Sequence, residues 1–412
     1  MKDKRLHILY ISQYFPPEIG ATQTRAFEMA SHLVRMGHRV TVLTEFPNHP
    51  KGVIPPAYRF KLFMRETHSG IDVIRTWVYV RPNKNFWNRI YFYLSFMILS
   101  MIIGILMCKK IGVVYATSPP LFVALSGFMI GLVKGIPFVM EVRDLWPESA
   151  VILGELQNPM FIRISEKIEK FLYRRAVRIV GVTEGIVKGL KERSVSKDKI
   201  ELIYNGANVD LYRPGERNIS LLNRLGISPS SFTIMYTGLH GLMHGLEFVI
   251  HAANDLRNES DIKFIFIGEG VRKAYLIDLA RRYRLKNTLF LESLQEVDLP
   301  QYIRSFDIGL VTTKKLPFCR GTLPVKMFTY MACEKPVLLC VDGEARHIVE
   351  NSKAGIYAEP ENKGQLIQAI HHLKKSKRLC REMGKAGRKF VVTHFSRRQM
   401  AKELENILME IV

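Results

Sequence analysis

Residues 319–339, CRGTLPVKMFTYMACEKPVLL, set a turn from Gly321 through Thr322 and Leu323 to Pro324 ahead of a helical stretch with Lys326 in its first turn. Free amides at a helix N-terminus and a nearby lysine hold an anion, and a departing diphosphate is an anion whose stabilisation accelerates group transfer. The alternative for Lys326 is an ordinary solvated charge. A second glycine-rich turn, YTGLHGLMHGL, places Gly238, Gly241 and Gly245 around His240 and His244. Two histidines at this spacing suit a metal, but the turn lacks the glutamate of H-E-x-x-H and offers no third ligand. Phosphate contact through backbone amides, assisted by imidazole, is the better reading. IGEGVRKAYL repeats the strand-glycine-helix pattern at Gly268 and Gly270, with Arg272 and Lys273 available to a diphosphate.

The first half of the chain has its own candidates. Gly20 lies where the first strand turns into a helix, a place where backbone can approach a ligand. In EVRDLWPESAVILGEL, Arg143, Asp144 and Glu148 follow the end of a strand, where open parallel sheets bind ligands. An internal ion pair between Arg143 and Asp144 is the alternative, and Trp146 fits either a core or a sugar platform. Glu45 ends the second strand, but the glycines of a dinucleotide fingerprint are missing.

These residues need strand ends to hold them, and the pattern supplies two series of strands. Short β-rich runs at 6–12, 39–44, 71–80, 112–117, 136–142 and 177–183 alternate with helical segments, and a second series follows at 232–238, 262–268, 288–293, 307–313, 335–341 and 354–359. That alternation predicts an α/β protein of two Rossmann-like halves. The turn chemistry of IYNGANVDLYRPGERN puts the boundary near Asn205.

Residues 90–108 carry no charge and are bracketed by Arg89, Lys109 and Lys110. A bilayer-spanning helix needs about 20 such residues. A single pass would put the first three strands across the membrane from the fourth, so a crossover helix is expected instead. It is either interfacial, with Trp87, Tyr91, Phe92 and Tyr93 at headgroup depth, or a buried core helix, or one arm of a hairpin with the apolar stretch that follows.

The 412 residues include 60 Lys and Arg against 38 Asp and Glu, a net charge of +22. Such an excess draws polyanions such as an acidic membrane face or a phosphorylated substrate, or serves solubility alone. No nucleic-acid recognition motif accompanies it. The five cysteines are scattered without a C-x-x-C pair, which argues against a disulfide framework or zinc site and fits a reducing cytoplasm. MKDKRLHILYISQ lacks a cleavage site and reads as a first strand.

Taken in order, YFPPEIGATQTRAFEMASHLVRMGHRVTVLTEFPNHP, RDLWPESAVILGEL, GVTEGIVKGL, IYNGANVDLYRP, YTGLHGLMHGL, IGEG and LPVKMFTYMACEKPVL resemble glycosyltransferase family 4, the retaining GT-B enzymes. The resemblance is strongest to the bacterial O-antigen, capsule and colanic acid branch that includes N-acetyl-fucosaminyl transferases. It implies two Rossmann-like domains facing a cleft: an acceptor domain over 1–204, a nucleotide-sugar domain over 205–394, and a terminal helix over 395–412 returning to the first. Gly20 and Glu148 would then lie on the acceptor side, with Arg143 and Asp144 among the reacting groups. Lys326, the 238–245 loop, Gly268, Gly270 and the 321–324 turn would hold the donor. His240 and His244 stand where the family often has Arg and Lys. Gly321 and Thr329 stand where it has glutamates, the second of which contacts the ribose; this implies a looser ribose contact or another nucleotide preference.

The expected reaction is transfer of a hexose, an amino or deoxy sugar, from a nucleotide-diphosphate sugar, UDP being the expected carrier, to a polyprenyl-diphosphate-linked saccharide in surface polysaccharide synthesis. No metal or other cofactor is implied. The expected location is the cytoplasmic face of the inner membrane, on an anionic surface. A nucleotide-sugar 2-epimerase of the same architecture and a non-catalytic partner in a polysaccharide assembly complex are the rival readings.

Overall fold

The computed structural model describes residues 5–48, 52–81 and 86–412, and the chain divides into two compact units, 1–205 with 398–412, and 206–397. Each is a mainly parallel sheet flanked by helices.

The first unit's strands are β1 (His7–Ile11), β2 (Arg39–Glu45), β3 (Phe63–His68), β4 (Ile71–Thr76), β5 (Val113–Ser118), β6 (Phe138–Val142), β7 (Arg178–Gly181) and β8 (Ile200–Leu202). They lie in the order β3-β4-β2-β1-β5-β6-β7-β8, all parallel except the β3–β4 hairpin. Its helices are α1 (Ala21–Arg35), α2 (Phe86–Met107), α3 (Leu121–Lys134), α4 (Glu148–Ile152), α5 (Pro159–Arg175) and α6 (Glu184–Glu192). Side chains alternate across a strand, and β1 divides accordingly. Leu9 and Ile11 join Phe96 and Ile103 of α2 and Leu172 of α5, whereas Ile8 and Tyr10 join Met29 and Leu33 of α1. That second core also takes Met400, Leu404 and Leu408 from the last helix.

The second unit orders its strands β11-β10-β9-β12-β13-β14, all parallel. They are β9 (Phe232–Thr237), β10 (Ile262–Ile267), β11 (Thr288–Leu291), β12 (Ile308–Thr312), β13 (Val337–Cys340) and β14 (Gly355–Tyr357). Helices α7 (Ile219–Arg224), α8 (Leu246–Asp255), α9 (Lys273–Arg282), α10 (Leu299–Ser305), α11 (Val325–Ala332), α12 (Glu344–Ser352), α13 (Lys363–Lys375) and α14 (Lys377–His394) surround them, and α15 (Arg397–Glu410) closes the chain. The two sheets match the expected Rossmann-like halves.

Two strands escaped the sequence reading. The segment 71–80 ends as a strand at Thr76, and β3, whose burial alternates only weakly, pairs with it as an exposed edge. The three-residue β8 is too short to show a period.

Helix α2 is a crossover between β4 and β5 of one continuous sheet, which rules out a single membrane pass. The fully buried alternative also fails, because only 22% of its most apolar stretch is buried. Trp87, Tyr91, Ile98, Ile102 and Leu106 stay exposed.

Candidate active site

In the second unit, β9 delivers Tyr236 and Thr237 to the carboxyl edge of the sheet and then turns at Gly238, whose φ of 120° is left-handed territory that favours glycine. The turns after β9 and β10 run backbone against backbone. A Cβ on Gly268 would come within 2.0 Å of the Gly238 carbonyl oxygen, and one on Gly270 within 2.4 Å of that of His240. The His240 amide donates to the Glu269 carbonyl at 2.8 Å. This close approach is what the glycines at Gly268 and Gly270 provide.

Helix α11 is docked onto the same edge by Tyr330. Its ring lies flat against Gly309 of β12, where a Cβ would meet it at 2.1 Å, and its hydroxyl accepts from the Thr237 amide at 2.8 Å. Lys326 lies one turn earlier on the same helical face. Its Nζ consequently sits 3.6 Å from the centroid of the Tyr236 ring and 3.3 Å from where a Gly238 Cβ would be. His240 and His244 also pack on Tyr236, with ring centroids 5.7 and 6.2 Å away.

Among the described residues no carboxylate pairs with Lys326 or His244, and Glu269 only partly offsets the fall in pKa at His240. Glu269 is held by Lys273 at 2.6 Å, and Lys326 makes no ion pair among the described residues. Burial therefore drives the Lys326 ammonium well below its ordinary pKa. Burial, then Lys326 and His240, push His244 down to about 3; burial, then Lys273 and Lys326, push His240 down to about 4. Burial and mutual repulsion thus favour the uncharged forms of all three groups.

The sequence expectation needs correction at several residues. His240 is fully buried, edge-on to Phe266 and Phe290, and neither ring nitrogen has a hydrogen-bond partner. It is therefore a buttress of the site rather than an open phosphate ligand. Arg272 and Lys273 are not free for a diphosphate: Arg272 pairs with Glu247 and stacks on Tyr275, and Lys273 holds Glu269 and the Leu291 carbonyl. Gly321 closes a short 3-10 turn over Pro317–Gly321, the Thr322 hydroxyl donates to the Cys319 carbonyl at 2.7 Å, and Leu323 is buried. Pro324 caps α11. The Thr329 hydroxyl donates back to the Lys326 carbonyl at 2.9 Å, so its proton is already committed. Gly241 has an extended φ and needs no glycine for its conformation, whereas Gly245, at φ 59°, packs on Thr313 and Lys314.

In the first unit, Gly20 caps α1. One turn on, the buried Arg25 donates to Glu141 of β6 from Nε at 2.9 Å and from Nη2 at 2.7 Å, and also to the carbonyls of Ile203 and Tyr204. Tyr115 donates to the same carboxylate at 2.5 Å. Burial works to raise the Glu141 pKa, but Arg25, Arg143 and Tyr115 together outweigh it and the carboxyl is held below its usual range. Arg143 extends this row, its Nε 3.8 Å from Glu141. Asp144 is raised by burial, although it accepts from Ser149 and the Leu145 amide. Glu148 is engaged by Arg193, which also lies 3.4 Å from Glu169. It is thus part of an ion network, with its side chain still 52% exposed.

A further polar group lies at the ends of β1 and β2. Gln13 donates to Glu45 at 2.7 Å, and Asn48 donates to Glu45 at 2.6 Å and through its amide to Glu18 at 2.8 Å. Burial, then the neighbouring Glu18, raise Glu45 well above the carboxylate range. Sequence reasoning passed over Gln13, Glu18 and Asn48, as it did Tyr236 and the Arg25–Glu141 pair. A carboxylate inside the apolar strand FVMEV was the one available signal. Among the described residues no group of three or more His, Cys, Asp or Glu could hold a metal.

Residues 221–390 match the family described as Glycosyl transferases group 1, and residues 20–206 match the Glycosyl transferase 4-like domain. The chain thus joins a glycosyl transferase 4-like domain to a group 1 glycosyl transferase domain. As such it is a transferase enzyme, and its two sheets are the two domains of the GT-B fold. Among curated proteins, this glycosyltransferase is 24% identical to one named as a colanic acid biosynthesis glycosyl transferase, WcaI of Escherichia coli, over 89% of this chain and 91% of that one. Among solved structures, a sucrose-phosphate synthase from Thermosynechococcus elongatus matches with a TM-score of 0.77 at 16% identity, covering 98% of this chain and 99% of the other. The Anabaena protein HepE, in complex with UDP-glucose, matches with a TM-score of 0.75 at 15% identity, covering 98% and 100%.

Proposed function

We propose that this glycosyltransferase moves a hexose, an amino or deoxy sugar, from a UDP-sugar to a polyprenyl-diphosphate-linked saccharide, with retention at the anomeric carbon. The observation that carries the reading is Lys326, packed on Tyr236 beside Gly238 with no carboxylate partner among the described residues. Such a group is complementary to an anion, and a diphosphate is the anion that transfer from a nucleotide-sugar releases. As the anomeric carbon–oxygen bond to the diphosphate breaks, negative charge grows on the departing oxygen. Lys326 and the free amides of α11 are stabilisers of that charge. The acceptor hydroxyl oxygen bonds to the anomeric carbon on the face the diphosphate leaves, and its proton passes to the departing phosphate. No metal takes part in this scheme.

The name of the colanic acid relative supports surface polysaccharide synthesis, and the UDP-glucose bound to HepE supports a nucleotide-sugar donor. The exposed flank of α2, with Trp87 and Tyr91 at one end, supports peripheral attachment to the cytoplasmic face of the inner membrane, where a lipid-linked acceptor resides.

Thermal shift against a panel of UDP-, GDP- and dTDP-sugars tests the donor. A ligand at a hundred times its dissociation constant adds about 2.7 kcal/mol. Stabilisation by one nucleotide class is expected; no shift with any of them contradicts the reading.

A further inference from the structure

The proposed chemistry lies at the carboxyl edges of the sheets, but the first unit carries a different feature at the opposite edge, where α2 ends and β1, β2 and β4 begin. A pocket of about 210 Å³ opens there, with Arg39, Arg65, Asp72, Met107, Lys109 and Lys110 in its wall. Asp72 is already satisfied: Arg65 donates to it at 2.6 and 2.7 Å and Thr41 at 3.0 Å. Arg39, Lys109 and Lys110 make no ion pair among the described residues. The pocket therefore has an uncompensated positive charge.

Lys110 has a φ of 53°, in the left-handed region where glycine is least costly after a helix, a region that seven other non-glycine residues among those described also occupy. One further observation narrows the ligand. The wall on the α2 side is formed by Met107, which is 41% exposed, and Cys108. A free phosphate would satisfy the cations and leave that wall in water. An amphiphile with an anionic head satisfies both.

We propose that this pocket binds the phosphodiester headgroup of an acidic phospholipid, with Arg39, Lys109 and Lys110 on the phosphate and the first apolar carbons against Met107. The proposal rests on the membrane attachment argued above and gives it lipid selectivity.

Co-sedimentation tests it, using vesicles of phosphatidylcholine alone and of phosphatidylcholine with phosphatidylglycerol. The full chain should bind the phosphatidylglycerol vesicles at least tenfold better. The combined variant Arg39→Gln, Lys109→Gln, Lys110→Gln should lose that preference. A control with the same loss of charge on the second unit, Lys375→Gln, Lys377→Gln, Lys385→Gln, should keep it. Lys110→Gly should raise Tm by relieving the backbone and still weaken vesicle binding, a combination a purely structural lysine would not give. Equal binding to both vesicle types, equal loss in pocket and control variants, or undiminished binding by Lys110→Gly would each overturn the pocket while leaving membrane attachment standing. Failure to bind either vesicle would overturn both.

Discussion

Lys326 and Tyr236 form a cation–π contact of 3.6 Å at the carboxyl edge of the second unit's sheet, held there by the Tyr330 hydroxyl on the Thr237 amide. The contact leaves the ammonium desolvated and without a counter-ion among the described residues. Lys326→Met should therefore lower kcat/KM by roughly 10²–10³-fold without loss of folded structure. Its pH behaviour gives a second readout. The Lys326 pKa is lowered on folding, so between that value and 10.5 the unfolded chain binds more protons and stability rises with pH. The methionine variant should lack this rise in a Tm series taken across the alkaline range; an unchanged slope would show that Lys326 is ordinarily hydrated.

Arg25 and Glu141 are 1% and 0% exposed, so neither can be discharged by water when its partner is removed. Arg25→Met should cost on the order of 3–5 kcal/mol in urea unfolding. The double variant Arg25→Met, Glu141→Leu should recover most of that loss. A cost under about 1 kcal/mol for the single variant would contradict the burial described here.

Glu45 supplies a pH prediction of the opposite sign. Burial and Glu18 raise its carboxyl on folding, so the folded chain binds the extra proton and stability falls as pH rises from about 4.5 towards the folded value. Glu45→Gln should flatten that fall in denaturant midpoints measured from pH 4.5 to 8, a window set by the direction of the shift. If the variant shows the same slope as the parent, Glu45 is not the titrating group.

Much of this was legible in the residues because buried parallel strands are written as compact apolar runs. HILYI and FTIMYT lie within segments read as strands, and VVYATS overruns its segment by one residue. The exposed edge strand FMRETH and the short IEL carry no such run and were not legible. Gly238, Gly268 and Gly270 showed themselves because a left-handed turn and close backbone approach demand them. What each polar side chain touches did not, since that depends on partners far apart in sequence: Arg25 and Glu141 are separated by 116 positions, and Tyr236 is a platform only because Tyr330 docks α11 beside it. His240 misled for the same reason, its imidazole being enclosed by Phe266 and Phe290 from neighbouring strands.

The exposed flank of α2 should govern membrane attachment. Replacing Ile98, Ile102 and Leu106, which are 45%, 42% and 65% exposed, with glutamate should move the protein from the membrane to the soluble fraction. Because these side chains are largely outside the core, Tm should change little. A variant that stays membrane-bound would assign attachment to another surface.

The most direct measurement is a crystal structure with UDP-glucose bound. The expected result places a diphosphate oxygen within about 3 Å of Lys326 Nζ, over the turn that begins at Gly238. A nucleotide bound elsewhere, with Lys326 still resting on Tyr236 and touching no phosphate, would contradict the assignment of this residue to the leaving group.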